Sequence, residues 1–556
     1  MGFFSLIPAF NAPFPFWFLN GILEPDKLKY QINLMKFQGF SEFIVHARYG
    51  LKTEYLSDEW FSAIKAILEE SYKLNMNVWI YDELNWPSGM AGGKVTSKYK
   101  MIEHRLDENF NLLPPIVRED LCPDYLNPDA TSLFIKLTYE EYFNRFNSYF
   151  GTTIKGFFND EIRFAHSLPW SSFLGKPPSS VKEIIHIVSD AFCENYVKKI
   201  SDWCTSHNVK LIGHVMGEET LGSQIRYVGN ILKMLSLFHQ PGCDHLGIAA
   251  EGLQTDVAAS AAFFNKSFTV TCETGGGISW DFKIEDLFRI SGWLFVTGVT
   301  RIILHGFFYE ENRSDWPPDM FFRWNGWEMM NDYIKWAERI QFFLSRTKPI
   351  YKVAVYYPFD EFIENYIPDL NLTLNYERSS DVENNIAKKL HEDLQKICYT
   401  LRANHIPYIL VPKEWLEDVK DKIIIVPSGI KISGYNIVEA NDDSDLWLKK
   451  LDSILKDRIR IEGEGSKFEI PAPQPFIRDP YIHDKKDDGG VLVRELLLDN
   501  KTLSLMVWNA NSFSFEGTLY SYKDFSSFWD PLTDELKSVK DNKISLKPFS
   551  GIIFLS

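Results

Sequence analysis

The stretch "GFFNDEIRF", residues 156–164, joins an apolar run to two carboxylates and an arginine. Gly156, Phe157 and Phe158 belong in a core. Asp160, Glu161 and Arg163 do not, because burying an ionised side chain without a partner is costly. Two arrangements accommodate the stretch. Either the carboxylates sit in a solvated turn, or a buried strand ends at a cleft and its polar end faces the opening. The rest of the chain chooses between them.

The same design recurs along the first 310 residues. Apolar runs ending in polar residues lie at 14–21, 41–50, 77–89, 154–162, 209–219, 243–252, 268–277 and 300–309. Helical patterns separate them. "SDEWFSAIKAILEESYKL" (57–74) opens on Ser57 as an N-cap and carries Phe61, Ile64, Ile67 and Leu68 on one face. A second, at 284–298, precedes the eighth run. Eight strand–helix pairs predict a (β/α)8 TIM barrel with a large excursion between 90 and 153.

The polar strand ends are Asn20; His46 and Arg48; Asp82 and Glu83; Asp160 and Glu161; His214, Glu218 and Glu219; Glu251; Glu273; and His305. One acidic strand end is an ordinary turn. A barrel, however, gathers the C-terminal ends of all its strands around one mouth. The shared phase therefore reads as one active site, with "NDE" as part of its wall.

Carboxylates dominate this set, and two of them flanking a glycosidic bond are the minimum for glycoside hydrolysis. Crowding helps, since like charges raise the pKa of one member. Glu161 on the fourth strand and Glu273 on the seventh are the expected catalytic pair, approaching a sugar from two sides. Gly275, Gly276 and Gly277 after Glu273 let a substrate come close. His46, Arg48, Asp82, Glu83, Trp86, Asp160, His214, Glu219, Glu251 and His305 are the expected substrate contacts. Each has a plainer reading: Arg48 in an ion pair, Trp86 wedging a loop, His214 and His305 as satisfied core histidines. Of the adjacent Glu218 and Glu219 only one faces inward easily. Trp316 and Trp324 read as loop packing.

Other chemistries fit less well. A Schiff-base aldolase needs a lysine in the mouth, but Lys155 and Lys210 stand at strand starts. A metal-dependent amidohydrolase wants paired histidines on an early strand, and "VHAR" has one. Residues 273–277 are weak evidence for a phosphate loop, since Gly-rich turns after strands are common.

A net charge of −16, from 59 basic and 75 acidic residues, argues against nucleic acid and membranes as partners. No stretch reaches the ~18–20 apolar residues that span a bilayer. Six scattered cysteines without a C-x-x-C pair read as free thiols in a reducing compartment. The N-terminus has no basic n-region. The expectation is a cytoplasmic protein. The 15% aromatic content suits either rich cores or surfaces that stack on sugars.

After residue 348 the pattern resets. Residues 349–470 read as a flavodoxin- or amidotransferase-like α/β domain. "YKVAVYYP" is a buried strand and "NIAKKLHEDLQKICYTLRAN" an amphipathic helix with Cys398 in its middle, away from any nucleophile elbow. A scaffold or homo-oligomerisation role is expected. Residues 471–556 open on a Pro-rich linker and read as a small β-sandwich. With the barrel at 1–348, this makes three domains.

"FIVHARYGLKTEYLSDEWF", "WIYDELNWPSGMAGGKV", "FFNDEI", "GHVMGEE" and "CETGGG" resemble glycoside hydrolase family 106, the α-L-rhamnosidases, over roughly the first 310 residues. The resemblance implies exo-acting hydrolysis of a terminal sugar with inversion. It matches Glu161 and Glu273 to the fourth- and seventh-strand carboxylates and Glu251 to a third active-site glutamate. Family members are associated with calcium in the active site, and no cofactor is otherwise required. This chain is shorter than the family and lacks its extra β-sandwich domains. The α/β domain after a barrel also resembles the family 42 β-galactosidases. A retaining β-galactosidase-like hydrolase and a non-catalytic carbohydrate-binding protein remain as alternatives.

Overall fold

The computed structural model describes residues 12–104, 112–117, 122–164, 168–247, 252–366, 385–467 and 489–556. Eight parallel strands close into a barrel in chain order: β1 (Phe14–Gly21), β2 (Glu42–Leu51), β3 (Asn77–Leu84), β4 (Ile154–Ile162), β5 (Lys210–Val215), β6 (Gln240–His245), β7 (Thr271–Thr274) and β8 (Arg301–Phe308), which pairs back onto β1. This is the TIM barrel that the sequence predicts. The helix α1 (Asp58–Lys73) begins as expected, with Ser57 Oγ accepting the Trp60 N–H at 3.2 Å. It buries Trp60, Phe61, Ile64, Ile67 and Leu68.

Side-chain alternation fills the barrel. Phe14, Phe16 and Phe18 point inward and pack with Ile44, Trp79, Tyr81, Phe158, Ile212, Ile303 and Phe308. Trp17 and Leu19, between them, belong to the outer core under the helices. Each buried ring contributes about 1.5–3 kcal/mol relative to exposure. The N-terminal end is closed by polar pairing. Glu42 accepts from Trp79 Nε1 at 2.9 Å and Arg301 Nη2 at 2.6 Å, and Arg301 Nη1 donates to Gln240 at 3.1 Å.

Two strands differ from their sequence-based limits. β5 ends at Val215, so Glu218 and Glu219 lie beyond it. β6 is Gln240–His245, not 243–252. Pro241 and Gly242 argue against a strand by propensity, which displaces the expected boundary toward the apolar run after it.

After the barrel, β9 (Val353–Tyr356), β10 (Tyr408–Val411), β11 (Ile423–Pro427) and β12 (Asn436–Ala440) form a parallel sheet in the order β10-β9-β11-β12. The helix Asn385–Ala403 accompanies them. The C-terminal unit packs a six-stranded sheet, which includes Val491–Leu498 and Thr502–Asn509, against three further strands. Two earlier segments join it: Thr347–Pro349 pairs with Val491–Leu498, and Arg460–Glu462 with Phe515–Tyr520. Arg494 locks this unit to the barrel, donating to the carbonyls of Phe295, Gly298 and Val299 at the end of helix Ile284–Thr297. All six cysteines are free and buried. Among the described residues, no helix is long and apolar enough to cross a membrane.

Candidate active site

The site is built around a break in β4. Asn159 faces Gly213 and Ile162 faces Val215, so three steps on β4 match two on β5. This is a bulge with one extra residue. Alternation turns Asn159 outward, where its amide donates to Asp82 at 2.8 Å and Tyr196 at 2.9 Å. It turns Asp160 inward. A regular strand would send Glu161 outward again. Instead Glu161 adopts a left-handed φ of +43°, and both carboxylates line one cavity. Such backbone is uncommon for a residue with a Cβ.

The two carboxyls are poised differently. Asp160 accepts from Tyr81 Oη at 2.5 Å, its N–H donates to Ser88 Oγ at 2.8 Å, and His214 Nε2 lies 2.8 Å away, off the angle of a hydrogen bond. Burial opposes charging of Asp160, but the His214 charge overrides it and holds the carboxyl below its usual range. Burial likewise opposes charging of His214, and Asp160 overrides it to hold the imidazole well above its usual range. They form an ion pair. Glu161 has a weaker partner, Arg163 Nη1 at 3.0 Å. Burial, then the Asp160 charge, outweigh Arg163 and raise its pKa to about 7.

Glu273 on β7 forms the other wall. Its Oε1 accepts from His305 Nδ1 at 2.7 Å, and its Oε2 lies 3.8 Å from His214 Nε2. His214 thus stands between the β4 and β7 acids. Space is tight at Gly276, where a Cβ would stand 2.9 Å from Leu246 Cδ2 and 3.3 Å from His305 Nδ1.

The cavity is lined by Arg48, Trp86, Asp160, Glu161, Asp244, Leu246, Glu273, Gly276, Gly277, His305 and Trp316. Arg48 lies 4.4 Å from the ring centres of both Phe18 and Trp86 and makes a two-pronged pair with Asp315 at 2.8 and 3.0 Å. Trp86 and Trp316 also line an outer groove with Tyr49, Asn85, Ser314, Asp315 and Pro317. Trp324 packs against Phe282, as expected. Trp316, expected to pack within its loop, instead borders the cavity.

Of the expected site residues, Glu161, Glu273, Arg48, Trp86, Asp160 and His305 line this cavity, and His214 contacts two of them. Four others stand elsewhere. His46 is buried against Tyr81, their rings 3.4 Å apart. Burial, then Arg48, lowers its pKa well below the usual histidine range.

Asp82 is an outward residue, accepting from Ser88, Tyr139 and Asn159. Glu83 accepts four backbone N–H groups, of Leu84, Met90, Ala91 and Gly92, at 2.6–2.9 Å. Ala91 and Gly92 have positive φ, which turns their N–H groups into a concave anion cradle. Both acids are 0% exposed and line neither the cavity nor the groove; their oxygens are taken by the protein. Glu219 is half-buried beyond β5 and does not line the cavity; its carbonyl accepts the Leu253 N–H. Glu251 lies outside the described residues.

Sequence reasoning missed Asp244. It is the penultimate residue of β6, directly opposite Glu273 in register. Its N–H donates to Glu218 at 2.8 Å, and Glu218 also accepts the Val215 N–H, tying β5 to β6. The misplaced β6 boundary drew attention to Glu251 instead.

The donor chemistry can be matched to calcium. Two groups bring ligand atoms within 4.8 Å of one another, Asp160–His214–Glu273 and Glu161–His214–Asp244. Both need His214, whereas calcium takes about six to eight oxygen ligands. The described residues do not fit calcium, and no step below is routed through it.

No family model matches the chain, and no curated protein does. Solved structures do. A rhamnosidase from Novosphingobium sp. PP1Y aligns with a TM-score of 0.66 at 10% identity, covering 99% of this chain and 83% of that one. A β-galactosidase from Bacillus circulans sp. alkalophilus aligns at 0.61, with 11% identity and 98% of both chains. A family 42 β-galactosidase from G. stearothermophilus aligns at 0.59, with 11% identity and 98% of both. At such identities the likeness is one of fold: a TIM barrel followed by further sheet domains.

Proposed function

We propose that the protein is an exo-acting glycoside hydrolase that removes a terminal sugar, α-L-rhamnose first among candidates, from small glycosides. The observation that carries this reading is the asymmetry of two acids lining one cavity. Glu161 has its pKa raised to about 7 and so keeps a proton near neutrality. Glu273 is aligned by His305 at 2.7 Å. Glu161 protonates the leaving oxygen while the glycosidic bond breaks. Glu273 takes the proton of the water that attacks the anomeric carbon from the opposite face. Asp160 and His214 stay charged as a pair and stabilise positive charge developing on the ring. The sugar would enter at this cavity, with its leaving group in the groove beyond Trp86 and Trp316.

The family 106 resemblance supports inversion. The placement of the pair on β4 and β7, with the fold likeness to β-galactosidases, favours a second reading, in which Glu273 attacks carbon and configuration is retained. A screen of aryl glycosides tests the activity. Proton NMR of the first-formed anomer separates the two readings. Silence across common glycosides, with calorimetric heat on oligosaccharide binding, would replace the enzyme by a binding protein.

A further inference from the structure

The cavity floor presents polar atoms that the protein leaves unpaired. Asp244 Oδ1 and His305 Nε2 are both buried and make no hydrogen bond, although both residues line the cavity. Buried polar atoms without partners are costly and uncommon, so each asks for an explanation. The backbone offers no freedom to relieve them. Asp244 is held in register opposite Glu273, and its N–H is bonded to Glu218. His305 Nδ1 is bonded to Glu273 Oε1 at 2.7 Å, so Nε2 is the ring nitrogen left for a ligand. Asp244 also has a ligand atom within 4.8 Å of Glu161 and His214. Asp244, His305, Glu161 and Glu273 all line the one cavity.

We propose that Asp244 is a specificity-determining residue, whose Oδ1, together with His305 Nε2, takes two ring hydroxyls of the sugar in the cavity. This rests on the glycosidase reading. The ligand class is a polyhydroxylated ring with two free hydroxyls on the side facing β6 to β8. Burial, then Glu273, pushes the Asp244 carboxyl well above its usual range.

The test is a cycle between Asp244→Asn and substrate hydroxyls. The full chain is given L-rhamnosides, D-galactosides and their monodeoxy analogues, with kcat/KM as one readout and calorimetric binding of the free sugars as the other. For the preferred sugar, Asp244→Asn should cost ~10–100-fold, the usual worth of a hydrogen bond to a carboxyl. One deoxy analogue should cost the wild type a similar factor and the variant nothing further. Additive losses for every analogue, or a variant with unchanged kcat/KM and affinity, would overturn the proposal and leave the glycosidase reading intact. If Asp244→Asn melts early, the wild type still decides: equal kcat/KM for every deoxy analogue overturns the proposal. A wild type that hydrolyses no glycoside and binds no sugar overturns both.

Discussion

Asp82-Glu83 ends β3 and Asp160-Glu161 ends β4, so one dipeptide stands at the tips of two hydrogen-bonded neighbours. The first pair is spent on architecture. Ser88, Tyr139 and Asn159 occupy Asp82, and four backbone N–H groups occupy Glu83. The second pair opens onto the cavity because a bulge rotates Glu161 back inward. Acidity at a strand end therefore does not distinguish chemistry from support. What distinguishes them is whether the protein itself supplies donors for the oxygens.

The largest expected contrast is in turnover. On substrates with poor leaving groups, Glu161→Gln should lower kcat by ~10²–10⁴-fold, the usual worth of a general acid. Glu83→Gln in enzyme that remains folded should leave kcat within a few fold. A Glu83→Gln enzyme that is stable but as slow as Glu161→Gln would break the comparison.

Stability should show the reverse. Glu83→Gln turns an amide NH2 toward backbone donors and leaves buried groups unpaired, at about 1–3 kcal/mol. Asp82→Asn should cost a similar amount. Glu161→Gln, with one cation as partner, should cost less. Denaturant midpoints rank the three variants.

The next contrast is in pH. Glu161 and Asp82 both have pKa values raised to about 7, and Glu218 to about 8, in each case by burial first. Unfolded carboxyls titrate near ~4. As pH rises, the unfolded chain loses these protons first. The stability contribution is full below about pH 4 and is lost as pH climbs through 7 to 8. Melting temperature should be higher at pH 5 than at pH 8, and Asp82→Asn should flatten part of that slope. Turnover should fall above about pH 7 as Glu161 loses its proton. A rate unchanged between pH 6 and 9 would contradict its role.

The smallest effect should come from Arg163, which pulls the Glu161 pKa down. Arg163→Gln should move the alkaline limb of the rate profile upward, by ~1 unit or less. A downward shift would mean that another group sets that limb.

Most of the barrel was legible because its runs are apolar, short and evenly separated by amphipathic helices. The polar strand ends were legible too, and six of the expected site residues line one cavity. What failed has local physical causes. β6 contains Pro241 and Gly242, so its end was sought too late and Asp244 was passed over for Glu251. The cradle around Glu83 depends on left-handed backbone at Ala91 and Gly92. "SGMAGG" after "DEL" hints at such a turn, but does not say which acid it holds. The bulge that exposes Glu161 has no residue signature, because Glu161 takes a conformation that glycine usually supplies.

The central claim is that the β4 acid does chemistry and the β3 acid does not. Its most direct test is the dependence of kcat/KM on leaving-group pKa, measured for aryl glycosides with wild type, Glu161→Gln and Glu83→Gln. A lost proton donor matters most when the leaving oxygen is basic. Glu161→Gln should show a steep fall in rate with rising leaving-group pKa and near-normal rates for the best leaving groups, while Glu83→Gln should follow the shallow line of the wild type. Parallel lines for wild type and Glu161→Gln would contradict the account.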